Sequence, residues 1–403
     1  MQFKGDRTLK YKLQSIMFVL VSFMLGCNEY MVVAVLENIS ADLKIQISLL
    51  GILVTVFAFV YSICTPIISI VFAHVKRHLV LFGLLVVFII ANTLTALAPN
   101  FYVLIISRIL SGATAGSIIS ITIIMTNFIA PAEKRAGLIS WVYSGAGIAN
   151  LLGVPVGNKI AEIFSWRYSF AIITILSVIV LLLLISLAPR NTPQITAKNT
   201  SKNTESIHNT DKQDFIKDIR VILTCAFIVF ACAAQFSYYT YITKLLTKYM
   251  KFSPASVSTL LFILGVVAII GTKLGGFFAD HGNMKNMPYL YLFMTPALII
   301  VGLTMHIKIL AFVLVALMVI VSNSFGSSVT VYLLDIANNH YPDALDLASS
   351  LTPVFSNVGI AIGSLASSLA IPYLTLGHVV FVSAVFAALS LITTVLQLKQ
   401  KHI

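Results

Sequence analysis

The chain has 403 residues, 59% of them hydrophobic and only 10% charged, with a mean hydropathy of +0.98. Soluble domains carry about 25% charged residues, so composition excludes a soluble globular protein and indicates an all-α polytopic membrane protein. The net charge of +12 would suit a nucleic-acid partner, but most Lys and Arg sit in short segments between apolar runs, as an orientation signal requires.

Twelve apolar runs predict twelve transmembrane helices, at roughly 16–35, 48–71, 79–98, 102–128, 137–158, 168–188, 221–243, 256–279, 288–305, 309–334, 347–371 and 379–398. The first follows a basic leader (Lys4, Arg7, Lys10, Lys12) and lacks a small-x-small cleavage site, so it is expected to stay as a helix. Most connections are short. The exception starts at Pro189 and runs through a tract rich in Asn, Thr, Ser and Lys that has almost nothing to bury. It predicts a six-helix bundle over 1–188, a flexible cytoplasmic linker over 189–219 and a second six-helix bundle over 220–403, related as an internal repeat.

With the N-terminus inside, seventeen Lys and Arg fall in cytoplasmic segments and seven in outer ones, which favours cytoplasmic termini. Arg108 and Lys273 lie within predicted spans. Lys273, close to a helix end, can snorkel to the interface. The eight histidines are expected in loops or tails, and the four cysteines (Cys27, Cys64, Cys225, Cys232) as small reduced core residues without metal-type spacing. No cofactor or metal is expected.

Glu29 breaks the first apolar run. A carboxylate there costs about 2.5–3.5 kcal/mol on insertion scales and marks a functional-site candidate. The other thirteen acidic residues fall in loops or at span ends. Arg108, in the fourth run, lies at the same expected depth, ~9 Å from the outer surface. Matching depth permits a direct or water-bridged pair that loads and releases a proton as the helices shift. The alternative is a static pair that fixes helix packing.

Small residues recur four apart at Gly112 and Gly116, Gly153 and Gly157, Gly271 and Gly275, and Gly359 and Gly363, a spacing that lets helices approach closely in lipid. Pro155, between Gly153 and Gly157, is expected to kink the fifth helix. Candidate cavity residues are Asn28, Asn150, Gln235, Tyr238, Tyr239, Asn323 and Asn357; Asn92 reads as packing.

These residues together resemble the major facilitator superfamily, and within it the twelve-helix drug–proton antiporters of the purine-efflux and sugar-efflux branch. Gly26-x-x-Glu29, the arginine motif through Arg108, Gly112 and Gly116, Gly153-Val-Pro155-Val-Gly157, and Trp166-Arg167 carry the resemblance. It covers essentially the whole chain. Two departures stand out. The loop motif after helix 2 has Ala73 where an aspartate is usual, while the second half keeps Ala279-Asp280-His281. Helix 5 lacks the fuller Gly-Pro-x-x-Gly-Gly pattern. An inner latch is therefore expected between Asp280 and basic groups such as Arg135.

The resemblance implies two pseudo-symmetric bundles around a cavity, alternating access, and proton-coupled efflux of a small-molecule substrate by a monomer in the cytoplasmic membrane. A proton-coupled or facilitated uptake permease is the alternative, with a transporter-like sensor, a membrane enzyme or a flippase behind it. No clustered nucleophile and base supports an enzyme.

Overall fold

The computed structural model describes residues 2–72, 75–129, 135–189, 213–281 and 283–400, and every regular element among them is helical. Twelve long helices follow one another: α1 (Gln2–Leu43), α2 (Ile47–Val71), α3 (Arg77–Ala96), α4 (Phe101–Ile129), α5 (135–163), α6 (Trp166–Leu187), α7 (Ile219–Tyr239), α8 (Val257–Asp280), α9 (Met287–Thr304), α10 (Lys308–His340), α11 (Leu345–Ala370) and α12 (Val379–Gln400). All but α5 contain an uninterrupted stretch long and apolar enough to cross a membrane.

The exception is built from Arg135–Ile148, a π-helical turn at Ala149–Gly153, and Val154–Ile163. At Pro155, where a kink is expected, the chain carries this π turn. Proline has no N–H and its ring crowds the preceding turn. The helix widens directly before it, with the Val154 N–H reaching back to the Ala149 carbonyl.

Local signals fix helix starts. The Ser165 hydroxyl accepts from the Arg167 N–H at the head of α6, and the Asp218 carboxylate accepts from the Arg220 N–H at the head of α7. One expectation is corrected. His78 is not in a loop but in the first turn of α3, buried, with its ring 5.9 Å from that of Phe82. The apolar run that predicts this helix starts one residue later, because its first two residues, Arg77 and His78, are polar.

The chain divides into two compact units, Met1–Ile47 with Val56–Thr196, and Ser48–Thr55 with Ala197–Ile403. Inside the first, α1 packs on α5 and α6, and α3 packs on α4 and α6. Inside the second, α7 packs on α11 and α12, and α9 packs on α10 and α12. Each unit therefore repeats one internal plan with helix numbers advanced by six.

The glycine pairs mark the closest crossings. Gly112 and Gly116 of α4 meet Phe57 and Tyr61 of α2; Gly153 and Gly157 meet Cys27 and Met31 of α1. In the second unit Gly271 and Gly275 meet Ile320 and Ser324 of α10, and Gly359 and Gly363 meet Cys232 and Ala233 of α7. Van der Waals packing is the main association force available in lipid, which is why missing side chains sit at these crossings.

Candidate functional site

Arg108 on α4 is 1% exposed and lies inside the first unit. Its Nη1 donates to the Asn28 carbonyl of α1 at 3.3 Å, and its Nη2 to Thr95 Oγ1 of α3 at 3.3 Å. Thr95 Oγ1 is itself 3.0 Å from the Ala91 carbonyl and 2.9 Å from Ser107 Oγ. Two ring faces complete the surroundings: the guanidinium carbon is 5.1 Å from the Phe170 centroid on α6 and 6.0 Å from that of Phe57 on α2. Five helices thus converge on one cation. Among the described residues its partners are all neutral. A buried charge without a counter-ion is costly and is poised to take one.

Glu29 is the next residue along α1 from Asn28, about 100° round the helix. It is half-buried, and no ion pair or hydrogen bond ties its carboxylate among the described residues. The direct pair that matched depths permit is therefore not formed, although Arg108 reaches the carbonyl of Asn28, the residue next to Glu29. On α2, Tyr61 is in electrostatic range of Glu29.

Asn28, expected to line a cavity, is fully buried and donates to Asn92 Oδ1 at 2.6 Å; Asn92 Nδ2 donates in turn to the Phe88 carbonyl at 2.9 Å. An amide in lipid takes the nearest amide partner, and here that is the residue set aside as packing.

Asn150 is half-buried in the π turn of α5. In the second unit Gln235 is half-buried on α7, while Tyr238 and Tyr239 on the same helix are 0% and 5% exposed. On α10, Asn323 donates to the Val319 carbonyl at 2.8 Å. On α11, Asn357 donates to the Pro353 carbonyl at 3.1 Å, with its Oδ1 buried and without a partner. The side chains of Asp280 and Arg135, expected to form a latch, lie outside the described residues.

Sequence reading missed Thr95, Phe57, Phe170 and Tyr61. A signal existed for two of them. Phe57, Tyr61 and Thr65 recur every four residues, the same spacing as Gly112 and Gly116, against which they pack.

Two charged clusters lie near helix ends. Asp42 at the end of α1 accepts from Arg167 Nη1 and from Trp166 Nε1 at 3.1 Å, and Arg167 Nη2 donates to the Ala98 carbonyl at 3.0 Å. This joins the α1, α3 and α6 ends. At the head of α7, Asp218 pairs with Arg220 at 2.7 Å and accepts from Tyr341 Oη at 3.3 Å. Burial pushes the Asp218 carboxyl up, but the Arg220 hydrogen bonds and charge outweigh it and hold the carboxyl below the ordinary range.

The profile of the Major Facilitator Superfamily matches residues 18–364. The chain belongs to that superfamily. Among relatives in this superfamily, the uncharacterized MFS-type transporter YfhI of Bacillus subtilis is 33% identical over 263 residues, 65% of this chain and 64% of that one. A probable sugar efflux transporter of Helicobacter pylori is 27% identical over 93% of this chain and 92% of its own. One of Mannheimia succiniciproducens is 26% identical over 94% and 92%.

Solved superfamily members share the fold. A bacterial homologue of the human lysosomal transporter Spinster, inward-facing and unoccupied, superposes with a TM-score of 0.77 at 16% identity, covering 98% of both chains. The D-xylose–proton symporter gives 0.73 at 18% identity, covering 95% of this chain and 96% of that one. The protein is a multi-pass membrane transporter rather than an enzyme.

Proposed function

We propose that this transporter exports a small, neutral, hydrogen-bonding solute, sugar-like in its chemistry, in exchange for protons. The reading rests on Glu29: a half-buried carboxylate midway along a spanning helix, with no ion pair among the described residues and a buried arginine hydrogen-bonded to the carbonyl of its neighbour Asn28. Such a group is expensive unless it titrates in use. When Glu29 is charged, Arg108 is the cation closest at hand; when it is protonated, Arg108 keeps its neutral partners. Proton loading from outside therefore loosens the attraction between α1 and α4, and release inside restores it.

The direction of transport follows the full-length relatives called probable sugar efflux transporters. Within the second unit, Gln235, Asn323 and Asn357 are side chains suited to an uncharged, hydrogen-bonding solute. The two bundles, 1–188 and 220–403, alternate about the 189–219 linker, with both termini cytoplasmic and the protein acting as a monomer. The driving force suffices. Each proton brings ~2.3 kcal/mol per 100 mV of potential and ~1.36 kcal/mol per pH unit.

The test is accumulation of labelled pentoses, disaccharides, purine bases and dyes in an efflux-deficient host. No protein, wild type and Glu29→Gln are compared at equal expression. Lower accumulation of one class with wild type, and not with the variant, supports proton-coupled export of that class. Raised accumulation with wild type assigns uptake instead. Export by Glu29→Gln at the wild-type rate removes Glu29 from the coupling mechanism.

A further inference from the structure

In the second unit the connector between α7 and α8 is ordered: a helical turn at Ile242–Lys244, a π-helical turn at Leu245–Tyr249 and a 3-10 turn at Pro254–Ser256. The Met250 N–H donates to the Leu245 carbonyl at 2.9 Å, and the Phe252 N–H to the Leu246 carbonyl at 2.9 Å. Between them Lys251 takes a left-handed backbone, φ 56°, where glycine or asparagine is the usual residue. Two other connectors of this unit close on it. The Phe252 ring lies 5.7 Å from that of Phe312 on α10, and Nζ of Lys308, the first residue of α10, lies 4.5 Å from the Phe252 centroid. A Cβ on Gly377, between α11 and α12, would sit 2.6 Å from Tyr249 Cδ1, and Lys248 Nζ is 5.7 Å from the Tyr249 centroid.

The three connectors form one platform with one sign of charge. Residues 240–256, 305–308 and 371–378 contain Lys244, Lys248, Lys251 and Lys308 and no acidic residue. The acidic residues after Tyr241 (Asp280, Asp335, Asp343 and Asp346) fall toward the other ends of α8 and α10 or beyond them. The matching connectors of the first unit, 37–46, 97–100 and 159–167, are balanced, with Glu37, Asp42 and Glu162 against Lys44, Lys159 and Arg167. Lys248, Lys251 and Lys308 are exposed, and Ile307 and Ile309, flanking Lys308, are 46% and 75% exposed.

We propose that this platform binds the phosphate-bearing headgroups of anionic phospholipids. Lys248, Lys251 and Lys308 meet the phosphates, while Ile307 and Ile309 meet the acyl chains. A soluble polyanion would leave those isoleucines in water; a lipid satisfies both surfaces. The Tyr249 and Phe252 rings hold two of the ammonium groups at the platform. With the termini cytoplasmic, as proposed, the lipids belong to the outer leaflet. The attraction is electrostatic and is therefore screened by salt.

The experiment needs no transport substrate. Full-length protein is placed in nanodiscs of phosphatidylcholine alone or of an equal mixture with phosphatidylglycerol, and acetylation of each lysine is timed by mass spectrometry. Phosphatidylglycerol should slow Lys248, Lys251 and Lys308 about fivefold, the factor one lysine gains beside an anionic surface. Lys159, paired with Glu162 on a balanced connector of the first unit, should keep its rate. High salt should restore the three rates, and Lys308→Gln should release Lys251 in the mixed discs. Equal rates in the two kinds of disc would overturn the proposal. Equal slowing of Lys159 would reduce it to general surface charge, and a Lys251 that stays slow in Lys308→Gln would show that the lysines do not share a site. Protection by inorganic phosphate in phosphatidylcholine discs would make the ligand a free anion and rule out the lipid.

Discussion

Replacing Gly112 with alanine adds one methyl group where α2 crosses α4. Its Cβ would lie 2.5 Å from the Phe57 carbonyl oxygen and 3.2 Å from the Phe57 C and Cα. All three atoms are backbone, so no rotamer change relieves the clash. Ordinary contact begins at 3.4 Å, and the helices must part by about 0.9 Å at this point. Overpacking of this kind costs roughly 1–3 kcal/mol, against which alanine regains about 0.5–1 kcal/mol of helix propensity. The expected net loss is about 1–2 kcal/mol. Gly147 of α5 supplies the control, since a Cβ there meets nothing within 4 Å; Gly147→Ala should gain about 0.5–1 kcal/mol. Thermal unfolding of the purified proteins in one detergent reads both. Equal stability of Gly112→Ala and wild type would show that the crossing is not held at the distance argued here.

Two further outcomes follow from the charged clusters. Asp42→Asn should cost only about 0.5–1 kcal/mol, because the Asp42 and Arg167 side chains are 46% and 33% exposed, and the cost should shrink in high salt; unfolding with and without added salt checks both. Asp218 is 7% exposed, and its carboxyl is held below the ordinary carboxylate value. A depressed folded-state value means that the unfolded chain binds the proton first as pH falls. The stabilisation is therefore complete above about pH 4 and is lost below it, down through the folded value. The unfolding midpoints of wild type and Asp218→Asn should differ at neutral pH and converge in acid; a constant gap would contradict the pairing with Arg220.

Much of this protein was legible in one dimension. The twelve runs were visible because a bilayer imposes one requirement on every span, about twenty apolar residues with the backbone satisfied internally. Glu29 and Arg108 stood out for the same reason: charge is conspicuous where it is expensive. The glycine pairs named the close crossings because lipid leaves helices little but contact to bind by. What the linear order could not supply was partnership. Equal depth for Glu29 and Arg108 constrains one coordinate along the membrane normal and says nothing of rotation about each helix. Tertiary packing turned Arg108 toward the Asn28 carbonyl, Thr95 and two aromatic rings, and paired Asn28 with Asn92. Those partners are neutral, and neutral polar or aromatic residues are common in spans, so nothing in the sequence singled them out. Side-chain direction about a helix is fixed only by the neighbour it packs against, and that neighbour is chosen by the whole bundle.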